Sequence, residues 1–228
     1  MSHEITPWNI MFKRLLSLLN VVSHTRNQAF VSFLTIFMVL PLNAATATQT
    51  LLVMGDSLSA AYNLPAENGW VSLTAQRMKI TNPNWRVVNA SVSGETTAGG
   101  LSRLPAALKQ HKPNLVIIEL GANDALQGMP LNFSKSNLQK MIRMAKTANA
   151  KVLLIGMQMP PNFGKAYTDG FAANYRNLAK QEKTSFLPFL LQPIALDRKY
   201  FLPDQNHPNA AGQIKIRDHV WPTLKPLL

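Results

Sequence analysis

The sequence predicts an α/β fold of the three-layer α/β/α type, with a five-stranded, mainly parallel sheet between two layers of helices. Short apolar runs alternate with amphipathic stretches from residue 48 onwards, as in strand–helix–strand units. The runs are nearly continuous rather than alternating in polarity, which is expected when a strand is covered on both faces. No internal repeat or linker interrupts this order, so residues 48–228 are predicted to form one domain.

The predicted strands are the short apolar runs, of which the fifth has the weakest pattern: residues 50–54, 85–90, 115–120, 152–157 and 185–190. The predicted helices lie between and after them, at residues 69–80, 100–111, 134–149, 168–180 and 209 to about 224. Ser134 is a predicted N-cap, and Asn209 after Pro208 marks another helix start. Pro105 is expected to kink the second helix or to delay its start.

The first 47 residues are predicted to be a signal peptide that is cleaved after Ala47. Three basic residues precede an apolar stretch at residues 29–42, and small residues occupy positions 45 and 47. The stretch is shorter than the roughly 20 residues that span a membrane. An uncleaved anchor helix is the alternative, and Met11 is an alternative start because the segment before the apolar stretch is long. We therefore expect an exported protein, in the periplasm or secreted.

The net charge and the absence of cysteine exclude several classes of function. Without residues 1–47 the chain has 20 Lys and Arg against 10 Asp and Glu, a net charge of +10. The basic residues are scattered, so nucleic acid is not an expected partner, whereas weak association with an anionic membrane surface is compatible with them. The chain has no cysteine, which excludes disulfides, a thiol nucleophile and a cysteine-based metal site. We expect a monomer.

Ser57 is the candidate nucleophile. It stands in the segment Gly55-Asp56-Ser57-Leu58-Ser59, directly after the first predicted strand, where ligands bind in parallel sheets. The segment is not the Gly-x-Ser-x-Gly elbow of α/β-hydrolases. Taken alone, a serine here could equally cap a following helix.

His207 and Asp204 are the candidate base and its orienting acid. The acid precedes the histidine by three residues, and Pro208 follows, so both side chains can converge on a distant serine. His111 is predicted to lie at a helix end and His219 to be solvated. Alone, the pattern Asp204-x-x-His207 is about as typical of a capping turn at a helix start.

The donors for an oxyanion hole can come from three loops at the same edge of the sheet. Gly94 and Ser57 can offer backbone N–H groups, and Asn123 can offer its side-chain amide. The alternative is that Gly94 and Asn123 are only turn or cap residues.

Together these segments resemble the ordered blocks of the SGNH hydrolases, also called GDSL esterases and lipases. The blocks are the segment around Ser57, the segment with Gly94, Gly121-Ala122-Asn123-Asp124, and Asp204-x-x-His207. Segments 89–96, 101–108 and 159–164 are similar to the periplasmic acyl-CoA thioesterase I/lysophospholipase L1/arylesterase branch.

The resemblance implies a flavodoxin-like SGNH fold, with Ser57 as nucleophile, His207 as base, Asp204 as acid, and Ser57, Gly94 and Asn123 as oxyanion donors. It also implies a single hydrolase domain over residues 48–228, with no cofactor and no metal. Two departures stand out: Ala122 replaces a usual glycine, and Gln205-Asn206 replaces a usual Gly-Ile. Both changes are expected to crowd or polarise the cleft.

The expected activity is hydrolysis of aryl and alkyl esters, acyl-CoA and lysophospholipids through an acyl-enzyme on Ser57. One alternative is a deacetylase that uses the same residues on O-acetylated envelope glycans. Another is an inactive, basic envelope-binding module. Substrate contacts are expected from residues beside the blocks, namely Asp56, Leu58, Ala125, Leu126, Met129, Pro161, Phe163 and Tyr167. Any one of these side chains could instead pack the core.

Overall fold

The computed structural model describes residues 48–228, and the predicted signal peptide with its cleavage site lies outside them. The sheet has five strands: β1 (Gln49–Gly55), β2 (Trp85–Asn89), β3 (Leu115–Glu119), β4 (Lys151–Ile155) and β5 (Ser185–Leu187). Their order is β2-β1-β3-β4-β5, and every pairing is parallel. The predicted fold class is therefore confirmed, with a sheet that is wholly rather than mainly parallel.

Helices connect the strands and form the outer layers: α1 (Trp70–Thr81), α2 (Thr97–His111), α3 (Ala122–Leu126), α4 (Leu131–Thr147), α5 (Lys165–Gln181) and α6 (Ala210–Leu224). Short 3₁₀ turns lie at Ala66–Asn68, Pro161–Phe163, Arg198–Tyr200 and Lys225–Leu227. Within residues 48–228, no helix combines the length and the apolar character that crossing a membrane requires.

The continuous apolar runs of the sequence form the buried central strands of the sheet. Leu51 to Met54 of β1 and Leu115 to Ile118 of β3 are fully buried, because helices cover both faces of the sheet. A continuous apolar run fits this position, since neither face of a central strand meets water. The core thus fixes the central strands, whose carboxyl ends carry the loops described below.

Two helix starts differ from the sequence prediction. The predicted N-cap Ser134 is wrong: α4 begins at Leu131 after Pro130, and Ser134 is buried within the helix. Pro105 does not delay α2, which begins at Thr97 because the Thr96 side chain accepts a hydrogen bond from the Gly99 N–H. The short α3 was not predicted at all.

The start of α6 agrees with the prediction. The Asn209 side chain caps it by accepting a hydrogen bond from the Gly212 N–H. The cap fixes where α6 begins, directly after the loop that carries Asp204 and His207.

The strand order brings three loops to one place. β1 lies between β2 and β3, with Val53 opposite Asn89 and Gly55 opposite Glu119. The chain leaves β1 toward one side and returns on the other, which is the topological switch point where parallel sheets bind ligands. The loops after β1, β2 and β3 therefore meet at a single crevice.

Candidate active site

The turn that carries Ser57 begins where β1 ends. Gly55 permits it, because a Cβ there would lie 2.7 Å from the Ser59 Cβ and 2.9 Å from a Glu119 carboxylate oxygen. The Asp56 carboxylate accepts a hydrogen bond from the Leu58 N–H at 3.0 Å. The turn thus presents Ser57 at the end of the strand, with Asp56 folded beneath it.

The structure brings Ser57, His207 and Asp204 together. His207 Nε2 lies 2.9 Å from Ser57 Oγ, although the two residues are 150 positions apart. On its other side, His207 Nδ1 lies 2.8 Å from Asp204 Oδ2. This is the arrangement of a nucleophile, a base and an orienting acid.

Hydrogen bonds keep the Asp204 carboxyl ionised. Its Oδ1 accepts the backbone N–H groups of Asn206 and His207, each at 3.0 Å. Hydrogen bonds lower the pKa of the Asp204 carboxyl to about 2. The bond from the Asn206 N–H has the largest effect, and the His207 N–H and imidazole ring add to it. An ionised carboxylate only accepts hydrogen bonds, so the imidazole proton resides on Nδ1. Nε2 is then free to accept the proton of the Ser57 hydroxyl.

The two ends of the loop that carries Asp204 and His207 are hydrogen-bonded to each other. The Leu202 N–H donates to the His207 carbonyl at 2.7 Å, and Phe201 and Pro208 form an antiparallel bridge. Gln205 takes a left-handed conformation with φ of 57°. These contacts hold the acid and the base on one short, turned segment.

Two backbone N–H groups in the loops after β1 and β2 have no acceptor in the described part of the chain. Within residues 48–228, neither the Ser57 N–H nor the Gly94 N–H has a hydrogen-bond partner. Gly94 is exposed and has φ of 78°, a conformation that glycine adopts easily. Both groups are therefore available to an oxygen atom of a bound substrate.

The Asn123 side chain joins the loops after β2 and β3. Its Nδ2 donates to the Glu95 carbonyl at 2.9 Å and lies 3.3 Å from Asp56 Oδ2. Asn123 stands in α3, whose first residue is Ala122. The amide is thus held beside the Gly94 segment.

Carboxyl groups lie buried beneath the crevice. Burial raises the pKa of Asp56 to about 6, against the opposing effects of the Leu58 N–H and of His207. Burial also raises the pKa of Glu119 well above its usual value, and the nearby Asp56 raises it further. Ser59 Oγ donates to Glu119 at 2.6 Å, while Asp124 accepts from the Thr97 backbone and hydroxyl. Sequence reasoning missed the Glu119 position, although a lone acid at the end of an apolar run was a visible signal.

Three of the residues expected to contact substrate are buried. Asp56 is 1% exposed, Leu58 is 6% exposed and Ala125 is fully buried. The Leu58 and Ala125 side chains pack in the core under the loops, and Asp56 is occupied by its hydrogen bonds. These three side chains are therefore not exposed to solvent, in contrast to the other residues that are expected to contact substrate.

The other residues expected to contact substrate lie at or near the surface. Leu126 is 59% exposed, while Met129, Phe163 and Tyr167 are half-buried. The Tyr167 hydroxyl donates to the Met129 carbonyl at 3.0 Å, and its ring lies 6.3 Å from that of Phe163. Through Tyr167, the first turn of α5 is joined both to the segment after α3 and to the 3₁₀ turn that contains Phe163.

Pro161 borders a separate cavity of about 410 Å³, whose lining contains none of Ser57, Asp204 and His207: Gln158, Met159, Pro161, Lys165, Thr168, Asp169 and Ala172. The loop that carries Pro161 therefore has an opening of its own on the α5 side.

The other two histidines of the described chain lie apart from this cluster. His111 is the last residue of α2, as predicted. The prediction that His219 is solvated is wrong, because it is half-buried and its Nε2 lies 3.0 Å from the Phe189 carbonyl. His207 is thus the imidazole that meets Ser57.

Tyr62 is a neighbour of His207 that sequence reasoning missed. The two rings lie with their centroids 4.3 Å apart and their planes at 33°. No local motif predicts this contact, because it depends on the shape of a turn and on the return of a distant loop.

Comparisons with known proteins agree with this geometry. Residues 53–214 match the GDSL-like lipase/acylhydrolase family. Esterase TesA of Pseudomonas aeruginosa is 48% identical over 187 residues, which are 82% of this chain and 93% of the relative. Thioesterase 1/protease 1/lysophospholipase L1 of Escherichia coli K12 is 40% identical over 197 residues, 85% of this chain and 91% of the relative.

Solved structures match as well. A crystal structure of TesA superposes with a TM-score of 0.77 at 49% identity and covers 79% of this chain and 100% of its own. The psychrotrophic esterase EstA from Pseudoalteromonas, inhibited by monoethylphosphonate, has a TM-score of 0.75 at 36% identity, with 78% and 97% covered.

Proposed function

The chain belongs to the GDSL-like lipase/acylhydrolase family, and from this premise we propose that it hydrolyses carboxylic esters and thioesters through an acyl-enzyme on Ser57. The observation that carries the proposal is the 2.9 Å approach of His207 Nε2 to Ser57 Oγ, with Asp204 held at Nδ1. Both contacts have hydrogen-bond length, which is the first requirement for a base and its nucleophile.

In the first half of the reaction, His207 Nε2 takes the Ser57 proton as Oγ attacks the carbonyl carbon of the substrate. The carbonyl electron pair moves to oxygen, and the Ser57 N–H and the Gly94 N–H stabilise the resulting oxyanion. The Asn123 amide joins them by giving up its longer contact, the 3.3 Å one with Asp56 Oδ2. The tetrahedral intermediate then collapses, and the imidazolium gives its proton to the departing alcohol or thiol. Asp204 stabilises the transient imidazolium by its negative charge.

In the second half, water replaces the leaving group. His207 removes a proton from water as the water oxygen attacks the acyl carbon, and the same donors hold the second oxyanion. Collapse releases the carboxylic acid and returns the proton to Ser57 Oγ. The cycle needs no redox partner and no group beyond these residues.

The relatives' names guide the substrate range. They are named an esterase, an arylesterase and a thioesterase/lysophospholipase, so we propose aryl and alkyl esters, acyl thioesters and lysophospholipids. Leu126, Met129, Phe163 and Tyr167 are the proposed contacts of the acyl chain, with each buried methylene contributing about 0.8 kcal/mol. The exposure of Leu126 suits this role, because an apolar side chain gains most when a ligand covers it.

We further propose export to the periplasm after cleavage behind Ala47, a monomeric state, and weak association with anionic membrane surfaces. The apolar stretch and small residues near position 47 support the first point, and the basic net charge supports the last. N-terminal sequencing of protein from a periplasmic extract should begin at Thr48. An N-terminus at Met1 or Met11 would contradict cleavage.

The decisive experiment replaces the nucleophile. Ser57→Ala should abolish hydrolysis of p-nitrophenyl esters and labelling by a fluorophosphonate, while the circular dichroism spectrum stays unchanged. The matched control is Ser136→Ala, an exposed serine on α4, which should keep full activity. Activity that survives in Ser57→Ala would refute the proposal.

A substrate panel then distinguishes the acyl groups. Short and long p-nitrophenyl esters, palmitoyl-CoA, a lysophospholipid and an O-acetylated glycan should be compared by kcat/KM. Preference for the alkyl substrates supports the proposed range. Exclusive cleavage of the acetylated glycan would favour the deacetylase alternative instead.

A further inference from the structure

The Tyr62 ring covers one face of the His207 imidazole, with 4.3 Å between the ring centroids. We propose that Tyr62 is a positioning residue, which holds the imidazole in the orientation that lets Nε2 take the Ser57 proton. The inference rests on the proposed function, because it concerns the same base. It assigns a task to a side chain that makes no hydrogen bond to any of the three reacting groups.

The backbone around Tyr62 is held in an unfavourable conformation. Ala61 has φ of 58° and Asn63 has φ of 54°, so both neighbours of Tyr62 are left-handed. This region is disfavoured for residues other than glycine, and for alanine more than for asparagine. Such a conformation persists only where the surroundings enforce it, and it often marks a functional segment.

Two contacts enforce the turn. The Tyr62 N–H donates to the Ser57 carbonyl at 3.2 Å, which ties the turn to the nucleophile. Ala61 is buried against Gly69, where a Cβ would lie only 2.7 Å from the Ala61 Cβ. The turn is therefore fixed both to Ser57 and to the start of α1, and it projects the Tyr62 ring toward the loop that carries His207.

That loop needs such support because it is exposed. The His207 and Asp204 side chains retain 22% and 36% of their accessible surface, so water can compete for both hydrogen bonds of the imidazole. The imidazole contacts Asp204 at Nδ1, Ser57 at Nε2 and the Tyr62 ring on one face. Tyr62 thus shields a face that the hydrogen bonds leave open.

An aromatic ring suits this place for a second reason. When His207 takes the Ser57 proton, the imidazole becomes a cation, and the face of an aromatic ring attracts a cation within about 6 Å. The contact therefore becomes stronger as the reaction proceeds, which is the property of an interaction that accelerates the chemical step. The proposed role depends on the face of the Tyr62 ring and does not require its hydroxyl group.

The test compares three substitutions in the full-length protein. Tyr62→Ala should lower kcat by roughly tenfold with KM unchanged, which is the size expected for one aromatic–cation contact. Tyr62→Phe should retain kcat within about twofold, because the ring remains. The control is Phe133→Ala on α4, since Phe133 is 39% exposed and Tyr62 is 38% exposed. The control should leave both constants unchanged.

The rate of fluorophosphonate labelling should fall in parallel in Tyr62→Ala, because the probe reacts with Ser57 before any deacylation. Unchanged kcat in Tyr62→Ala would overturn the inference. A raised KM with unchanged kcat would overturn it too, because Tyr62 would then contact the substrate. Failure of Tyr62→Phe to rescue kcat would assign the effect to the hydroxyl and would also contradict it.

A further variant guards against a folding defect. Tyr62→Leu keeps apolar bulk but lacks a flat ring, so its kcat should fall well below that of Tyr62→Phe, and equal values would overturn the inference.

If the wild type shows no hydrolysis that depends on Ser57, the proposed function fails and the inference falls with it. If the wild type is active and Tyr62→Ala is equally active, only the inference fails.

Discussion

The side-chain amide of Asn123 lies 3.3 Å from the buried carboxylate of Asp56. The same amide donates to the Glu95 carbonyl, and Asp56 also accepts the Leu58 N–H beside Ser57. The buried acid thereby contacts one group that we propose to stabilise the oxyanion, the Asn123 amide, and it also holds the turn that carries Ser57. Changes at Asp56 should therefore affect both the stability of the fold and its chemistry.

The first prediction concerns the effect of Asp56 on stability. Burial raises the pKa of Asp56 to about 6, so between about pH 4 and pH 6 the folded state keeps a proton that the unfolded state has released. The free energy of unfolding should therefore fall as pH rises through this window, on the order of 2–3 kcal/mol for this group. Thermal unfolding at pH 4.5 and pH 7.5 measures the difference.

Asp56→Asn should make the midpoints of thermal unfolding at the two pH values more alike. The control is Asp169→Asn, whose carboxylate is exposed on α5 and should leave the difference as it is in the wild type. An unchanged pH dependence in Asp56→Asn would contradict the assignment to Asp56.

The second prediction removes an oxyanion donor. Asn123→Ala should lower kcat by about 10²–10³, because the loss of one such donor weakens the transition state more than the bound substrate. Steady-state kinetics on a p-nitrophenyl ester measure this, with Gln127→Ala at the end of α3 as control. A small loss of activity in Asn123→Ala, comparable to that of the control, would exclude Asn123 from the oxyanion hole.

The third prediction concerns the orienting acid. Asp204→Asn should lower kcat by roughly 10³–10⁴, because the amide can hold the imidazole in the wrong tautomer and no longer balances its positive charge. Asp197→Asn, seven residues earlier on the same segment, serves as control for a lost surface carboxylate.

The Asp204 carboxyl should also be absent from the pH profile of the wild type. Its pKa is lowered to about 2, chiefly by the Asn206 N–H, so it stays ionised throughout an assay range of about pH 4–9. Near-normal kcat in Asp204→Asn would mean that another group orients His207.

The fourth prediction tests the segment that carries Asn123. Gly121 has φ of 119°, and a Cβ there would lie 2.4 Å from the Tyr175 hydroxyl oxygen, which itself donates to the Leu120 carbonyl. Gly121→Ala should therefore destabilise the protein by at least about 3 kcal/mol, through both backbone strain and overpacking. Urea denaturation at equilibrium measures the change.

Gly128→Ala provides the matched control, since Gly128 also has a positive φ of 70° but no atom of the described chain within 4 Å of the added Cβ. It should cost about 1–2 kcal/mol, the penalty for alanine in a left-handed conformation alone. Equal destabilisation by the two substitutions would show that contact with Tyr175 is unimportant.

The sequence predicted the strands and the edge of the sheet where the candidate catalytic residues lie, because both depend on local sequence patterns. The apolar runs gave the strands because burial on both faces selects such runs, and the block order placed Ser57 and His207 at one edge. The burial of Leu58 and Ala125 could not be predicted, since it depends on how the loops fold back over the core. The Tyr62 contact could not be predicted either, because it needs a left-handed backbone at Ala61, which alanine rarely adopts, and the return of a distant loop.

The helix boundaries show the same division. Asn209 was predicted as the start of α6 because its side chain can bond a backbone N–H three residues on, which is a local interaction. Ser134 has the same chemistry but lies inside α4, because Pro130 fixes the entry of the chain one turn earlier. A residue's capping ability therefore predicts a helix start only where no stronger signal precedes it.

The separation of Ser57 and His207 by 150 positions in the sequence has a consequence for when the protein becomes active. The hydroxyl is synthesised early and the imidazole among the last residues, so a nascent, truncated or unfolded chain holds the parts of a hydrolase without assembling one. Hydrolytic activity should appear only when the loop that carries Asp204 and His207 packs beside Ser57. The hydrolysis rate of a chromogenic ester therefore reports directly on completed folding. If the proposed export takes place, a chain that stays unfolded until it has crossed the membrane would not hydrolyse the thioesters of the cytoplasm.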